Sequence, residues 1–405
     1  MRAGRILRRL LPPGREEAVL VSIKLGNVYG GLFLYIGVLL PFWAVWMQSK
    51  GLSPSEIGII MTVPFITKPF IPLLVTQFAD RIGSARPLFL INLGLSVIFF
   101  VPYLFVDSFW EIFWVTVLFN LFVPSLMPLL ESMSVYHTRK LGIHYGRVRS
   151  AGSLTFIFSS LLMGAVLTRS TTDWVMVLAL VFLALSFSSA LFLPEDQRRK
   201  MPEENGERSV GEEQETPSKF LLTNRNFLIF LAVSGLIQMS HGVYYGMGSL
   251  YWKTHGIPEN IIGLLWSVGV VAEIIVFMFC SKIIAALRPM HVFMVIGLSG
   301  MLRWIVLGGT LSVPVLLLAQ LIHGLTYGAA HLAAIYYIAA RVPQNCASTA
   351  QGLYSAIPLG LASGATMMSA GYLYEGFGGK AYWGMALMCL LAVLVARKLR
   401  RVTEE

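Results

Sequence analysis

Eight ionisable side chains lie inside long apolar stretches of this sequence, and they are its main candidates for chemistry. They are Lys68, Glu131, Arg149, His241, Glu273, Arg303, His323 and His331. An ionisable residue at the centre of a lipid bilayer costs at least ~2.5–3.5 kcal/mol on insertion scales, so such residues usually mark substrate, ion or proton pathways. The structural alternatives are an ion pair, an arginine that anchors a helix end, or a histidine that only packs, which is the favoured interpretation for His331.

An internal repeat relates two of these residues. The segments Gly51–Gly58 (GLSPSEIG) and Gly256–Gly263 (GIPENIIG) are similar and lie 205 residues apart. The same offset relates Lys68 to Glu273, so we expect a base and an acid at equivalent depths of equivalent helices, facing one central cavity. A structural ion pair is the alternative. Related halves are typical of secondary transporters, whose substrate site lies at the repeat interface.

The other candidates lie near the ends or the middle of predicted helices. Glu131 and Arg149 lie near the ends of adjacent helices joined by a short connection, so their side chains can meet. Arg303 and His323 lie near the middle of consecutive spans. A packing role is the alternative for His323 and for His241.

The charges favour an anionic ligand. The buried groups are three cations and two carboxylates, namely Lys68, Arg149 and Arg303 against Glu131 and Glu273. An uncompensated charge is poorly tolerated in a low dielectric, and a monoanion would compensate it. Arginine holds a carboxylate through two parallel hydrogen bonds. The sequence therefore favours a small organic acid over a neutral sugar.

Aromatic residues are expected on the same helices. Tyr29 lies in the first predicted span, Tyr244 in the seventh, and Trp266 two helical turns before Glu273. Such residues more often pack, but several of them on the walls of a cavity would suit a planar apolar ligand.

Membrane-spanning helices must position all of these residues. Of the 405 residues, 56% are hydrophobic and 13% are charged, whereas soluble proteins carry about 25% charged residues. This composition excludes a soluble globular enzyme, and it also excludes disorder, which needs low hydrophobicity. Apolar runs of roughly 20 residues, the length that spans a bilayer, predict twelve helices. They lie near 20–46, 56–79, 87–106, 109–135, 149–168, 174–193, 226–250, 260–281, 289–310, 312–338, 347–373 and 381–396.

The basic residues predict the orientation. Most of the 31 lysines and arginines fall on one side of the predicted membrane, and that side is typically the cytoplasm. Both termini are therefore expected in the cytoplasm, and the Arg-rich start is interpreted as a retained tail. The polar segment 194–225 is interpreted as a flexible cytoplasmic linker between two six-helix bundles. The bundles are 1–193 with the N-terminal tail and 226–405 with the C-terminal tail.

The loop after the second span resembles a known motif. Asp80-Arg81-Ile-Gly83, followed by Arg86, is similar to the Asp-Arg-x-Gly loop of the major facilitator superfamily, although the usual leading glycine is Thr76 here. The resemblance implies two pseudo-symmetric six-helix bundles in a monomer. It also implies that Asp80, Arg81 and Arg86 form a gating loop that latches one transport state.

Five candidates match the lactose/proton symporter branch of that superfamily: Glu131, Arg149, Glu273, Arg303 and His323. In that branch the acid and the arginine of spans four and five bind substrate, and the other three match groups of its eighth, ninth and tenth spans. The carboxylate expected three residues after His323 is Thr326 here. The proton-release group of that symporter is therefore missing.

Most of the chain resembles the phenylpropionate permease family of the same superfamily. The likeness rests on HGVYYG from His241, LWSVGVVAE ending at Glu273, and HGLTYGAAH from His323 to His331. It implies proton-coupled uptake of a small aromatic carboxylate across the inner membrane by alternating access. Substrate binding is expected from Glu131, Arg149, Arg303, Lys68, Tyr29, Tyr244 and Trp266. Proton coupling is expected from Glu273, His323 and His241.

No cofactor is expected, because the proton gradient supplies the energy. The expected partners are the substrate, the proton and the lipid bilayer, without nucleic acid or metal. The alternatives are a sugar or nucleoside symporter, an exporter of the same fold and a membrane-embedded transferase. Cys280, Cys346 and Cys389 lie at no metal-binding spacing and are interpreted as apolar filler. The sequence lacks a Gly-x-x-x-x-Gly-Lys-Ser/Thr loop, which disfavours nucleotide-driven pumping.

Overall fold

The computed structural model describes residues 15–196 and 217–401, and every regular element within these ranges is helical. The first range contains α1 Arg15–Ser49, α2 Pro54–Thr67, α3 Ile71–Ile82, α4 Arg86–Phe100, α5 Phe109–Phe119, α6 Leu126–Leu141, α7 Tyr145–Leu167 and α8 Trp174–Ala190. The second contains α9 Pro217–Thr223, α10 Arg225–Met239, α11 Gly242–Thr254, α12 Glu259–Ile275, α13 Ser281–Ala286, α14 Pro289–Gly309, α15 Val313–Leu321, α16 Ala330–Arg341, α17 Ala347–Ala356, α18 Ser363–Phe377 and α19 Ala381–Arg401. Three π-helical segments interrupt the second range, at Val276–Cys280, Gly324–Ala329 and Ile357–Ala362.

Ten segments of the described chain are long and apolar enough to cross a membrane. The all-helical membrane fold is therefore confirmed, whereas the predicted count of twelve spans is not fully confirmed. Two places account for the difference. The apolar helix α8 has only 17 residues. The segment Ala347–Leu399 has 53 residues, which at 1.5 Å per residue far exceeds one bilayer crossing, and Gly378–Lys380 interrupts it.

Close contacts divide the chain into two units. Unit 1 comprises Met1–Leu40, Phe70–Ser160 and Asp173–Asn205, and unit 2 comprises Pro41–Pro69, Leu161–Thr172 and Gly206–Glu405. The sequence-based division at 193 and 226 stays a prediction. Three stretches lie outside the described residues: most of the predicted linker (197–216), residues 1–14 of the predicted N-terminal tail, and residues 402–405.

Glycines let α2 and α18 approach closely in unit 2. A Cβ atom at Gly58 would lie 3.1 Å from the carbonyl oxygens of Met367 and Met368. A Cβ atom at Gly371 would collide with the carbonyl oxygen of Pro54. Small residues of this kind allow membrane helices to pack backbone against backbone.

In unit 1, Asp196 ties the chain after α8 to the start of α4. Its carboxylate accepts hydrogen bonds from the Ser84 hydroxyl at 2.6 Å, the Ala85 N–H at 2.9 Å and the Arg86 N–H at 3.1 Å. The first N–H groups of a helix have no partner within the helix, and a negative charge is favourable there. Gly83, with φ of 80°, supplies the left-handed turn that ends α3.

Candidate substrate and proton-coupling sites

Arg303 is the centre of a buried polar cluster in unit 2. The side chain is fully buried on α14, and its Nη1 lies 2.8 Å from Nδ1 of His323. Its Nη2 donates to Oε1 of Gln320 at 2.7 Å. The guanidinium carbon lies 4.6 Å from the ring centroid of Tyr244 and 4.5 Å from that of Trp304. Both terminal nitrogens are thus engaged by the protein, and aromatic rings pack against the guanidinium.

His323 connects Arg303 to Glu273. Its Nε2 lies 2.9 Å from Oε1 of Glu273. An arginine N–H only donates, so Nδ1 of the imidazole must accept from Arg303, and the remaining ring proton must lie on Nε2. His323 is therefore neutral in this arrangement and donates to a carboxylate. The result is a chain from a cation through a neutral imidazole to an anion.

Local helix geometry brings His323 to Glu273. Glu273 lies at the end of α12, just before the π-helical segment Val276–Cys280, and His323 lies just before the π-helical segment Gly324–Ala329. A Cβ atom at Gly324 would lie 2.5 Å from the Ala272 carbonyl oxygen, so only glycine lets these helices approach this closely. π-Helical turns occur frequently at functional sites.

Glu273 is the most exposed member of this chain. Its side chain is 18% exposed, compared with 5% for His323 and none for Arg303. Of the three groups, Glu273 is therefore the least enclosed by protein and the best placed to exchange a proton. A second proton on His323 would occupy Nδ1 and displace the hydrogen bond from Arg303.

Buried polar partners complete the cluster around Arg303. The Gln320 amide donates to the Tyr244 hydroxyl at 2.8 Å. Arg303 Nη1 also donates to Oγ1 of Thr326 at 3.2 Å, and the same oxygen lies 3.4 Å from Nε2 of His241. Thr326 therefore joins Arg303 to His241 at the position where the lactose/proton symporter branch has a carboxylate.

Tyr244 and Trp266 form part of the packing around this cluster. Their rings stack at 4.8 Å, and the two residues are 1% and 4% exposed. The Trp266 indole N–H donates to Oγ of Ser249 at 2.8 Å. Both aromatic side chains are therefore buried within unit 2. Their contact with substrate stays a prediction.

Lys68 lies at a break in the second predicted span. Helix α2 ends at Thr67 and α3 begins at Ile71, because Pro69 and Pro72 lack the N–H groups that would continue the helix. The Lys68 side chain is exposed, and no described residue forms a hydrogen bond or an ion pair with it. His331, also exposed, lies close enough to Lys68 and Glu273 for both charges to act on it. A common cavity for Lys68 and Glu273 stays a prediction.

In unit 1, Arg149 lies against aromatic rings. Its guanidinium carbon is 4.4 Å from the Phe33 ring centroid and 5.6 Å from that of Tyr29. A Cβ atom at Gly152 would lie 2.8 Å from Cδ2 of Phe33, so glycine on α7 makes room for this ring. Arg149 Nε lies 3.9 Å from Oε1 of Glu131, and the two side chains are 31% and 45% exposed. Unlike Arg303, Arg149 is partly open to a ligand.

The predicted gating residues lie on both sides of the α3–α4 loop: Asp80 and Arg81 in the last turn of α3, and Arg86 at the start of α4. The Arg86 guanidinium donates to the Leu191 carbonyl oxygen at 3.1 Å, while Asp80 and Arg81 are exposed. Their role as a latch stays a prediction. Asp196, which binds the backbone of this loop, was not among the predicted residues.

Sequence reasoning also missed Gln320, the contact of Phe33 with Arg149, and the contacts of His331. A search for ionisable residues in apolar stretches passes over a neutral amide, although the spacing of Gln320 and His323 puts them on one helix face. No pattern in the sequence distinguishes Phe33 from the other aromatic residues of α1. Asp196 follows a predicted span, but its partners lie more than 100 residues earlier.

Membrane-spanning helices that enclose a buried, hydrogen-bonded charge chain are typical of secondary transporters. Comparison with known proteins gives the same class. The family model described as "MFS_1 like family" matches residues 23–385. The chain therefore belongs to the MFS_1-like family of the major facilitator superfamily. The known proteins that are similar to it are transporters and not enzymes.

Several known proteins are similar to the chain over nearly their whole length. It is 31% identical over 376 residues to the "Probable 3-phenylpropionic acid transporter" of Escherichia coli K12, covering 91% of this chain and 96% of that one. It is 26% identical over 385 residues to the maltose permease of Geobacillus stearothermophilus, covering 92% and 94%. Among solved structures, the nucleoside transporter NupG superposes with a TM-score of 0.80 at 15% identity, covering 95% of this chain and 99% of that chain.

Proposed function

We propose that the protein is a proton-coupled symporter that imports a small aromatic carboxylate, such as 3-phenylpropionate, by alternating access. It acts as a monomer in the cytoplasmic membrane with both termini in the cytoplasm, and the proton gradient is its energy source. The observation that carries the proposal is the chain from Arg303 through neutral His323 to Glu273. Such a chain gives a proton one accessible acceptor and links its arrival to a buried cation.

Glu273 is the proton carrier in this proposal. When Glu273 is ionised, it accepts from His323 and balances Arg303 through the imidazole. When Glu273 takes up a proton, the charge balance of the cluster changes by one unit, and Arg303 is left without a compensating anion. In a low dielectric this change is large, so protonation favours a different arrangement of the surrounding helices.

The charged residues of each unit, taken separately, support an anionic substrate. Arg149 lies near Glu131, and Arg303 is linked to Glu273, so each of these pairs is close to neutral. Lys68, in unit 2, has no hydrogen-bond or ion-pair partner among the described residues, and its exposed ammonium group is open to a substrate carboxylate.

We also propose a substrate contact at Arg149 in unit 1. A planar guanidinium binds a carboxylate through parallel hydrogen bonds and also packs on rings. Arg149 has this setting, with Phe33 at 4.4 Å and a partly exposed side chain. The similar E. coli protein carries a name that refers to 3-phenylpropionic acid.

The test separates coupling from binding in proteoliposomes. Proteoliposomes that contain the unaltered protein are expected to accumulate radiolabelled 3-phenylpropionate when an inward proton gradient is imposed. Glu273→Gln is expected to abolish accumulation but retain exchange of internal for external substrate, because the amide keeps an oxygen that accepts from His323. Glu375→Gln, an exposed carboxylate at the end of α18, is the matched control and should behave like the unaltered protein. Gradient-driven accumulation by Glu273→Gln would contradict the assignment.

A sugar or nucleoside substrate is the second candidate. The Glu131–Arg149 pair offers both an acceptor and donors for hydroxyl groups, and the similar maltose permease carries a sugar name. Competition for labelled uptake among 3-phenylpropionate, maltose and uridine distinguishes the two. The direction of flux under the proton gradient separates uptake from export.

A further inference from the structure

A groove of about 980 Å³ opens in unit 1 between α1, α7 and α8. Its walls are residues 18–34 of α1, the loop before α7 with the first turns of α7, and the last turns of α8. Ile23 and Leu185, both in this groove, are 48% and 52% exposed. In a membrane protein such exposed apolar side chains face lipid chains.

The loop end of the groove is basic. His144 and Arg147 line it, and both are exposed. Neither side chain has a hydrogen-bond partner or an ion-pair partner among the described residues, and none of the described lining residues is acidic. These two side chains also lie at the first turn of the 23-residue helix α7, where the helix dipole adds to the positive potential. The groove thus combines an apolar wall with an anion-attracting end.

Asn27 marks a deeper polar point on the apolar wall. It lines the groove and is exposed, and its side-chain amide has no hydrogen-bond partner among the described residues. A polar group facing hydrocarbon without a hydrogen bond is unfavourable, so this amide calls for a partner from a ligand. A Cβ atom at the neighbouring Gly26 would lie 3.8 Å from Cβ of Ala151. Arg147 is four residues before Ala151, so Asn27 lies roughly one turn, about 6 Å, deeper than Arg147.

We propose that this groove binds one anionic phospholipid. Arg147 and His144 hold the phosphate, the Asn27 amide donates to an ester carbonyl about one turn deeper, and the acyl chains lie along Ile23 and Leu185. A free phosphate would match only the basic end and would leave Asn27 and the apolar wall without a partner. The observations therefore favour a lipid over a soluble anion.

The test uses the purified full chain in neutral detergent and native mass spectrometry. Phosphatidylglycerol and phosphatidylcholine with identical acyl chains are compared, and inorganic phosphate forms a separate arm. Arg147→Gln is expected to weaken phosphatidylglycerol retention about fivefold, the effect of one basic residue near an anionic lipid surface. Arg139→Gln is the matched control, because it removes an exposed arginine from the neighbouring helix α6 outside the groove lining, and it should change retention little.

Asn27→Ala and His144→Gln provide independent readouts. Asn27→Ala is expected to weaken both lipids equally, because the ester carbonyl is common to them. His144→Gln should weaken phosphatidylglycerol more than phosphatidylcholine, because the choline cation offsets the charge of the phosphate that the two lipids share. Equal losses for Arg147→Gln and Arg139→Gln would show general surface attraction and overturn the proposal. Equal retention of the two lipids by the unaltered protein, or displacement of bound phosphatidylglycerol by inorganic phosphate, would overturn it as well.

Discussion

The chain from Arg303 to Glu273 predicts that these two residues are energetically coupled although they do not touch. Arg303→Met removes the donors to His323 Nδ1 and to Gln320 Oε1. Each unsatisfied buried group costs about 1–3 kcal/mol, and Glu273 loses its compensating cation, so we expect a loss of roughly 3–5 kcal/mol in the free energy of unfolding. Glu273→Gln keeps an oxygen that accepts from His323 Nε2, so only the charge-assisted part of one hydrogen bond is lost, about 1–1.5 kcal/mol.

The double variant reveals the coupling. Glu273→Gln removes the anion that Arg303→Met leaves uncompensated, so the combined loss should be smaller than the sum of the single losses by about 1–3 kcal/mol. The assay is denaturant unfolding in detergent micelles, followed by tryptophan fluorescence. In the control cycle, Glu259→Gln replaces Glu273→Gln. The Glu259 carboxylate pairs with Lys253 at 3.0 Å, away from the chain, so the effects of Glu259→Gln and Arg303→Met should be additive within about 0.5 kcal/mol. Additivity in the Arg303–Glu273 cycle would refute the hydrogen-bonded chain.

Three further predictions concern positioning. Gly324→Ala places a Cβ atom 2.5 Å from the Ala272 carbonyl oxygen and should separate His323 from Glu273. Uptake into proteoliposomes should then fall at least about tenfold. The control Gly352→Ala adds a Cβ atom with no other atom within 4 Å and should leave uptake unchanged. Asp196→Asn removes the charge that accepts from Ser84, Ala85 and Arg86 and should lower the free energy of unfolding by about 1–2 kcal/mol, whereas an unchanged value would show that the cap is not stabilising. Arg149→Lys keeps the charge but loses the planar group beside Phe33 and should raise the KM for 3-phenylpropionate about tenfold with little change in maximal rate; an equal effect of Arg139→Lys would contradict the assignment.

The sequence predicts the helical membrane fold because apolar runs of sufficient length leave few other structures possible in lipid. It also identifies the charged members of the unit 2 chain, since an ionisable residue in an apolar span is conspicuous. Charge alone does not show how such residues are used. The sequence places Arg303 near mid-span and Arg149 near a helix end, but only the structure shows that the first is buried between Tyr244 and Trp304 and that the second is 31% exposed beside Phe33.

Contacts that depend on exact helix geometry lie beyond the sequence pattern. Thr326 lies about one turn after His323 and so shares its helix face, but that spacing does not show that Arg303 of another helix donates to it. The Asp196 cap joins residues more than 100 positions apart, and no local signal marks such a pairing. The break at Lys68 does have a local signal, Pro69 and Pro72, yet the prolines show where the helix ends and not which groups surround the ammonium.

The central claim is that the coupled proton resides on Glu273, and infrared difference spectroscopy tests it most directly. Protein in lipid films is compared at acidic and alkaline pH, and the band of protonated carboxyl groups is recorded for Glu273→Gln, Glu131→Gln and the unaltered chain. The account predicts a substrate-sensitive carboxyl band that disappears in Glu273→Gln and persists in Glu131→Gln. A substrate-sensitive band that persists in Glu273→Gln would place the proton on another group and contradict the account.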